Sequence, residues 1–194
     1  MSLEHIFGRI TLGDWDKGQT DEDSVIASIA HLKAYKVFTR HCGPMALDGE
    51  SADLGEIGFA VLSTNSRSES VWATKLVNKF EDTIEPNLLI IDRLSVNKEF
   101  RGHKLGLALI SKFIQIFGGD CGFCALMAVP PGEDKSGKPA LVRYYNQIGF
   151  EKIKSSSDVM VLPLEYKHPT LTDTGFSERD TLAAIEEILS QRAT

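Results

Sequence analysis

Three cysteines among 194 residues, an odd number in a chain of this length, exclude the disulfide framework of a small secreted fold. Cys121-Gly122-Phe123-Cys124 has the spacing of a redox or metal pair. A zinc site needs a second such pair or histidines at ligand spacing. The five histidines, at positions 5, 31, 41, 103 and 168, form no such cluster, and the Cys pair also reads as two small residues entering a buried strand. Basic charge is scarce as well. Lys and Arg total 21 against 27 Asp and Glu, a net charge of -6, which argues against a general nucleic-acid binder. No apolar run approaches the ~20 residues of a membrane span. Met1-Ser2-Leu3-Glu4-His5 lacks the charged head and apolar stretch of a signal peptide. The expectation is a cytoplasmic protein. With 42% apolar and 25% charged residues, the composition is that of a globular domain with a real core.

The patterning predicts alternating strands and helices. Residues 5–12 alternate loosely and read as a strand. Acids at Asp21, Glu22 and Asp23 precede Val25, Ile26, Ile29 and Leu32, which recur at helical spacing, so a helix is expected over 20–33. A short strand is expected at 37–39 and a loop over 43–55. The run 56–63 is almost continuously apolar and predicts a strand buried on both faces. Trp72, Leu76 and Phe80 recur every fourth residue, predicting an inserted helix stopped by Pro86. A strand follows over 87–96, then a helix ended by Gly118-Gly119, a strand over 124–129, a charged loop over 132–138 and a helix over 139–148. A strand pair closes the domain around residues 155–158, and 177–191 predicts a terminal helix. The fold class expected is α/β of the α+β type: a mixed, mostly antiparallel central sheet covered by helices on both faces, with an extra C-terminal helix. Residues 1–166 form one domain and 167–194 an extension. The apolar face of its helix suits packing on that domain or pairing two copies as a homodimer.

The stretch SVNKEFRGHKLGLAL, residues 95–109, carries the most chemistry. A helix starting near His103 or Lys104 leaves its first four N–H groups unpartnered and directs its positive dipole end at the loop. Gly102 and Gly106 keep side chains away, while Arg101, His103 and Lys104 add positive charge. The arrangement suits a phosphate, though a strand-Gly-helix turn is also an ordinary connection. Further on, RYYNQIGFEKI places paired tyrosines before a Gly-Phe stop.

Together, LSVNKEFRGHKLGLALI and RYYNQIGFEKI resemble the GCN5-related N-acetyltransferases, the GNAT family, over residues 54–165. The resemblance implies that GEIGFAVLS is that family's third strand, LLIIDRLSV its fourth and CALMAV its fifth. It implies acetyl-CoA as cosubstrate, without a metal. The pantetheine arm would pair with the backbone of Leu94, Ser95 and Val96. The pyrophosphate would sit on the amides of Arg101, Gly102, His103, Lys104, Leu105, Gly106 and Leu107. Tyr145, four residues before Gly149, would protonate the departing thiolate, leaving Tyr144 to pack. The Val96 N–H would polarise the thioester carbonyl.

A general base is less plainly marked. Asp92 on the fourth strand is the candidate carboxylate, with an ion pair as its other reading, and Glu56 is a weaker second. Lys104 replaces a usual glycine, Lys138 stands where an asparagine is common, and Leu126, Met127 and Ala128 fill a region where some members carry a glutamate.

The implied function is acetyl transfer from acetyl-CoA to a primary amine by direct attack on the thioester. A CoA-binding sensor or interaction module without turnover is the alternative. An unrelated phosphate-binding α/β domain is a third reading. The acceptor is an amine-bearing small molecule or a protein amine, with no membrane partner. Nucleic acid enters only as a tRNA-linked amino group, and the overall acidity leans toward a cationic amine.

Overall fold

The computed structural model describes residues 3–13, 25–80, 83–130 and 135–164, together with residues 169 and 183. A six-stranded mixed sheet forms its centre. The strands are β1 (Leu3–Gly13), β2 (Val25–Val37), β5 (Asn87–Val96), β6 (Cys121–Met127), β7 (Glu151–Lys152) and β8 (Val159–Pro163), in the order β1-β2-β5-β6-β8-β7. Among the described residues, only the β5–β6 pair is parallel. A separate hairpin joins β3 (Leu62–Thr64) to β4 (Ser70–Trp72). The helices are α1 (Pro44–Glu50), α2 (Ala52–Val61), α3 (Thr74–Phe80), α4 (Leu105–Phe117) and α5 (Lys138–Asn146). The mixed, mostly antiparallel architecture expected from the sequence is present. Among the described residues, no helix is long and apolar enough to cross a membrane.

Each sheet face has its own core. Leu89 and Ile91 of β5, with Ala30, Leu32 and Ala34 of β2, pack under α4. Leu88 and Ile90, with Tyr35 and Val37, pack on the other face against α1, α2 and α3. This alternation is what a strand covered on both sides demands. On β1, Gly8 lies beneath α4. A Cβ there would stand 3.6 Å from Phe113 and 3.8 Å from Leu109, ordinary contact distances that show how closely the helix sits on the strand.

Several expectations from the sequence are overturned. The segment expected as a helix over 20–33 is strand from Val25 onward; the part before Val25 lies outside the described residues. The Val25, Ile26, Ile29 and Leu32 spacing also accommodates a strand, and pairing with both β1 and β5 decides in its favour. The short strand at 37–39 is only the end of β2, which stops at Val37.

The expected loop over 43–55 holds two helices. The expected central strand over 56–63 is mostly α2, so GEIGFAVLS is not the third strand; β2 takes the place beside β5. Leu54, Ile57, Gly58 and Val61 are buried at helical spacing, and the Ser51 hydroxyl caps the helix by accepting from the Leu54 N–H at 3.2 Å. The two glycines let α1 lie close. A Cβ on Gly55 would meet the Asp48 Cα at 2.9 Å, and one on Gly58 would meet the Pro44 Cα at 3.2 Å. The inserted helix begins later than its aromatic spacing suggests, because Trp72 belongs to β4. The expected terminal helix over 177–191 lies outside the described residues apart from residue 183.

Candidate active site

The site grows from the middle of β5. Ile91 pairs with Ala34 and Arg93 pairs with Lys33, which leaves Asp92 as the extra residue of a β-bulge. The parallel pairing with β6 ends at the same point, at Ile91 and Leu126. Beyond it, β6 continues beside β8 through Met127, and the Ala128 N–H donates to the Asp158 carbonyl. Residues 92–96 of β5 therefore have no strand partner on that side among the described residues. The Asn97 N–H donates to the Ile29 carbonyl at 2.8 Å, so the backbone of Asn97, and of Ser95 two residues earlier, faces β2. Leu94 and Val96 turn their N–H and C=O groups into the gap.

The loop after β5 closes one end of this gap. Lys98–Phe100 forms a 3-10 turn anchored by the fully buried Phe100. Gly102 has φ +91° and Lys104 has φ +54°, both left-handed. The backbone at position 104 takes the conformation that glycine adopts without strain, and Lys104 adopts it at a cost of about 1–2 kcal/mol. Lys104 is also the N-cap of α4, and its side chain makes no capping hydrogen bond. The Arg101 side chain folds back, its Nε donating to the Val96 carbonyl at 3.0 Å. One of the outward groups of β5 is thus already engaged.

Helix α5 forms the opposite wall. Its first residue, Lys138, pairs with Asp158 at 2.5 Å and ties the helix start to the turn before β8. Its two tyrosines part company. The Tyr144 hydroxyl reaches the start of α4 and accepts from the Leu107 N–H at 3.1 Å. Burial raises its pKa, while the amides of Leu107 and Gly106 pull it down. Packing is therefore not the whole role of Tyr144. The Tyr-Tyr pair is the available sequence signal, but which ring reaches α4 is set by how α5 docks.

Tyr145 packs edge-on to Tyr144 and Phe150, with ring centroids 5.5 and 6.2 Å away. Burial first, then the neighbouring Tyr144, pushes its pKa to about 12. Its hydroxyl has no hydrogen-bond partner among the described residues. The two walls enclose a groove of about 630 Å³, lined by Leu94, Val96, Gly106, Leu141, Tyr144 and Tyr145 among others. Gly106 is essential to its shape, because a Cβ there would stand 2.8 Å from the Tyr144 hydroxyl and 3.0 Å from Leu94 Cδ2.

The groove brings together Leu94, Ser95, Val96, Arg101, Gly102, Lys104, Leu105, Gly106 and Tyr145. His103 lies in the same loop, and Leu107 supplies the amide bonded to Tyr144. Asp92 is not among the lining residues. It sits at the bulge, with its carboxylate 3.0 Å from Lys33 Nζ. Hydrogen bonding to Tyr35 and Asp92 raises the Lys33 pKa. Glu56 lies on the exposed side of α2, on a helix assigned to the sheet's other core. The cysteine pair is buried at the start of β6, where burial pushes the Cys121 thiol up to about 12. Among the described residues, no group of three metal-ligating side chains occurs.

An elongated ligand with amide groups and a diphosphate suits this construction. The gap offers backbone pairing along β5, and the α4 start offers amides and cations. Acetyl-CoA has those features.

No family model matches the chain, and no curated protein matches it. Solved structures do overlap with it. One is a tyrosine-to-phenylalanine mutant of KacT, at 11% identity and a TM-score of 0.38, covering 70% of this chain and 62% of that one. Two are Arabidopsis thaliana NAA60. The complex with a bisubstrate analogue gives 17% identity, a TM-score of 0.42 and coverage of 77% and 73%. The complex with acetyl-CoA gives 14% identity, a TM-score of 0.44 and coverage of 79% and 74%. The site is defined by the chain's own splayed strands and glycine loop, not by these overlaps.

Proposed function

We propose that the protein is an acetyl-CoA-dependent N-acetyltransferase acting on a primary amine. One observation carries this reading: the β5–β6 splay, the glycine loop of α4 and the tyrosine helix α5 open onto one groove. Bound acetyl-CoA supplies a thioester whose carbonyl carbon accepts the amine, so that a C–N bond forms as the C–S bond breaks. The outward backbone groups of Leu94 hold the arm, and the Val96 N–H polarises the carbonyl. The loop amides from Gly102 to Leu105, with the side chains of Arg101, His103 and Lys104, hold the diphosphate, since the Leu107 N–H is taken by Tyr144 and the Lys104 carbonyl. Tyr145 gives its phenolic proton to the departing sulfur, and burial keeps that phenol protonated until needed. Asp92 takes the proton lost by the amine, through water. The amide product and free CoA then leave, and solvent restores the proton to Tyr145.

The alternative, a CoA-binding module without turnover, is favoured by one observation: the Asp92 carboxylate is already engaged by Lys33. Calorimetric titration with acetyl-CoA and thiol release with mixed primary amines separate the two. Binding with turnover supports the enzyme. Binding without turnover for any amine supports the module, and absence of binding overturns both.

A further inference from the structure

The other face of the same β5 segment carries a second groove, and its chemistry opposes the overall charge. After the bulge, Leu94 and Val96 pack toward α4, so Arg93 and Ser95 project from the opposite face, where both are exposed. Strand register aligns Phe7, Lys33 and Arg93 in one row across β1, β2 and β5. His31 and Ser95 take the next row. A groove of about 520 Å³ runs over these rows, within the size range of small-molecule sites. Ser95 lines both this groove and the proposed cofactor groove.

The charges here are unevenly spent. Lys33 is paired with Asp92. Arg93 has no carboxylate partner among the described residues, although a guanidinium fork is suited to a bidentate anion. Phe7, 72% exposed, offers an apolar surface beside it. The chain as a whole has a net charge of -6, so a basic patch at this junction is a local feature that the total conceals.

We infer that this groove receives the acceptor, and that the acceptor is a small amine carrying a carboxylate or phosphate, which Arg93 binds while the amine enters the splay beside Ser95. The inference rests on the acetyltransferase reading and specifies its substrate class. It replaces the cationic amine suggested by composition with an anionic one.

The test uses the full chain with acetyl-CoA and matched probes: glycine against glycinamide, and phosphoethanolamine against ethanolamine. Thiol release is compared at equal concentrations of neutral amine. The expected result is kcat/KM at least tenfold higher for at least one anionic probe than for its uncharged counterpart. Whichever anionic probe turns over identifies the carboxylate or phosphate as the anion. Arg93→Gln should raise KM for that probe tenfold or more, leave the counterpart's KM unchanged and leave acetyl-CoA affinity unchanged. Equal or better turnover of the uncharged probes, or of spermidine, overturns the inference while leaving the acetyltransferase reading intact. So does an Arg93→Gln variant that binds acetyl-CoA normally and keeps the anionic preference. Failure of the wild-type chain to bind acetyl-CoA overturns both.

Discussion

The two halves of β5 teach different lessons although they are one continuous strand. From Leu88 to Ile91 the strand is paired on both edges and buried on both faces. From Asp92 to Val96 it keeps β2 but loses β6, and its burial alternates. The first half holds the sheet together. The second leaves backbone groups for a ligand and aims Arg93 and Ser95 at a separate groove. A single bulge residue marks the change. A strand offers free backbone groups only where its pairing stops, and this one is held there by β2 on its other edge and by its locked half.

The sharpest way to break this contrast is to damage the halves separately. Ile90→Ala, in the locked half, should lower stability by about 2–5 kcal/mol through the cavity it leaves, read by denaturant unfolding. Tyr145→Phe, facing the open half, should instead lower kcat by about 100-fold with little change in acetyl-CoA affinity, read by stopped thiol-release kinetics. If Tyr145→Phe changed binding and stability but not turnover, the proposed acid would be a packing residue.

Alkaline titration offers an intermediate effect. The Tyr145 pKa rises to about 12 on folding, from about 10 in an unfolded chain. Below about pH 10 the phenol is neutral in both states and its contribution is fully present. Above that, the unfolded chain ionises first, so stability is lost as pH climbs toward 12. Tyr145→Phe should reduce this alkaline loss, measured by thermal unfolding across that window.

Two smaller changes sharpen the picture at the α4 start. Tyr144→Phe removes the hydroxyl that accepts from the Leu107 N–H and should cost about 1 kcal/mol of stability. Acetyl-CoA affinity should not fall, because the Leu107 N–H keeps its bond to the Lys104 carbonyl at 2.9 Å and no proposed ligand contact is lost. A clear loss of affinity would place the hydroxyl in the ligand seat itself. Lys104→Gly should have the least effect, a gain of about 0.5 kcal/mol, as relief of the left-handed strain outweighs the added freedom of the unfolded chain. A flatter salt dependence of acetyl-CoA binding in that variant would show that the lysine charge assists the diphosphate.

Legibility from the sequence varies along the chain for physical reasons. β5, α4, α5 and the closing strand pair are readable because local signals agree there: an apolar strand, glycines at a turn, Pro near a helix start, Gly-Phe after its end. The first third misleads. The apolar spacing of β2 fits two periodicities, and a short apolar run such as residues 56–63 suits a buried helix as well as a buried strand. Ser51 is the available cue for α2, a capping hydroxyl ahead of a helical repeat.

Local sequence marks the glycine loop at the α4 start, whereas Tyr145 is singled out by the family resemblance and the bulge at Asp92 by strand register. The sequence by itself determined that a strand, a cationic glycine loop and a tyrosine-bearing helix follow one another, since each is written in local backbone preferences. Only the tertiary structure decided that Tyr144, not Tyr145, reaches α4, that Asp92 is paired with Lys33, and that Arg93 heads a basic groove in an acidic protein. Those outcomes depend on strand register and on the bulge, which shift side chains from one face to the other by a single residue.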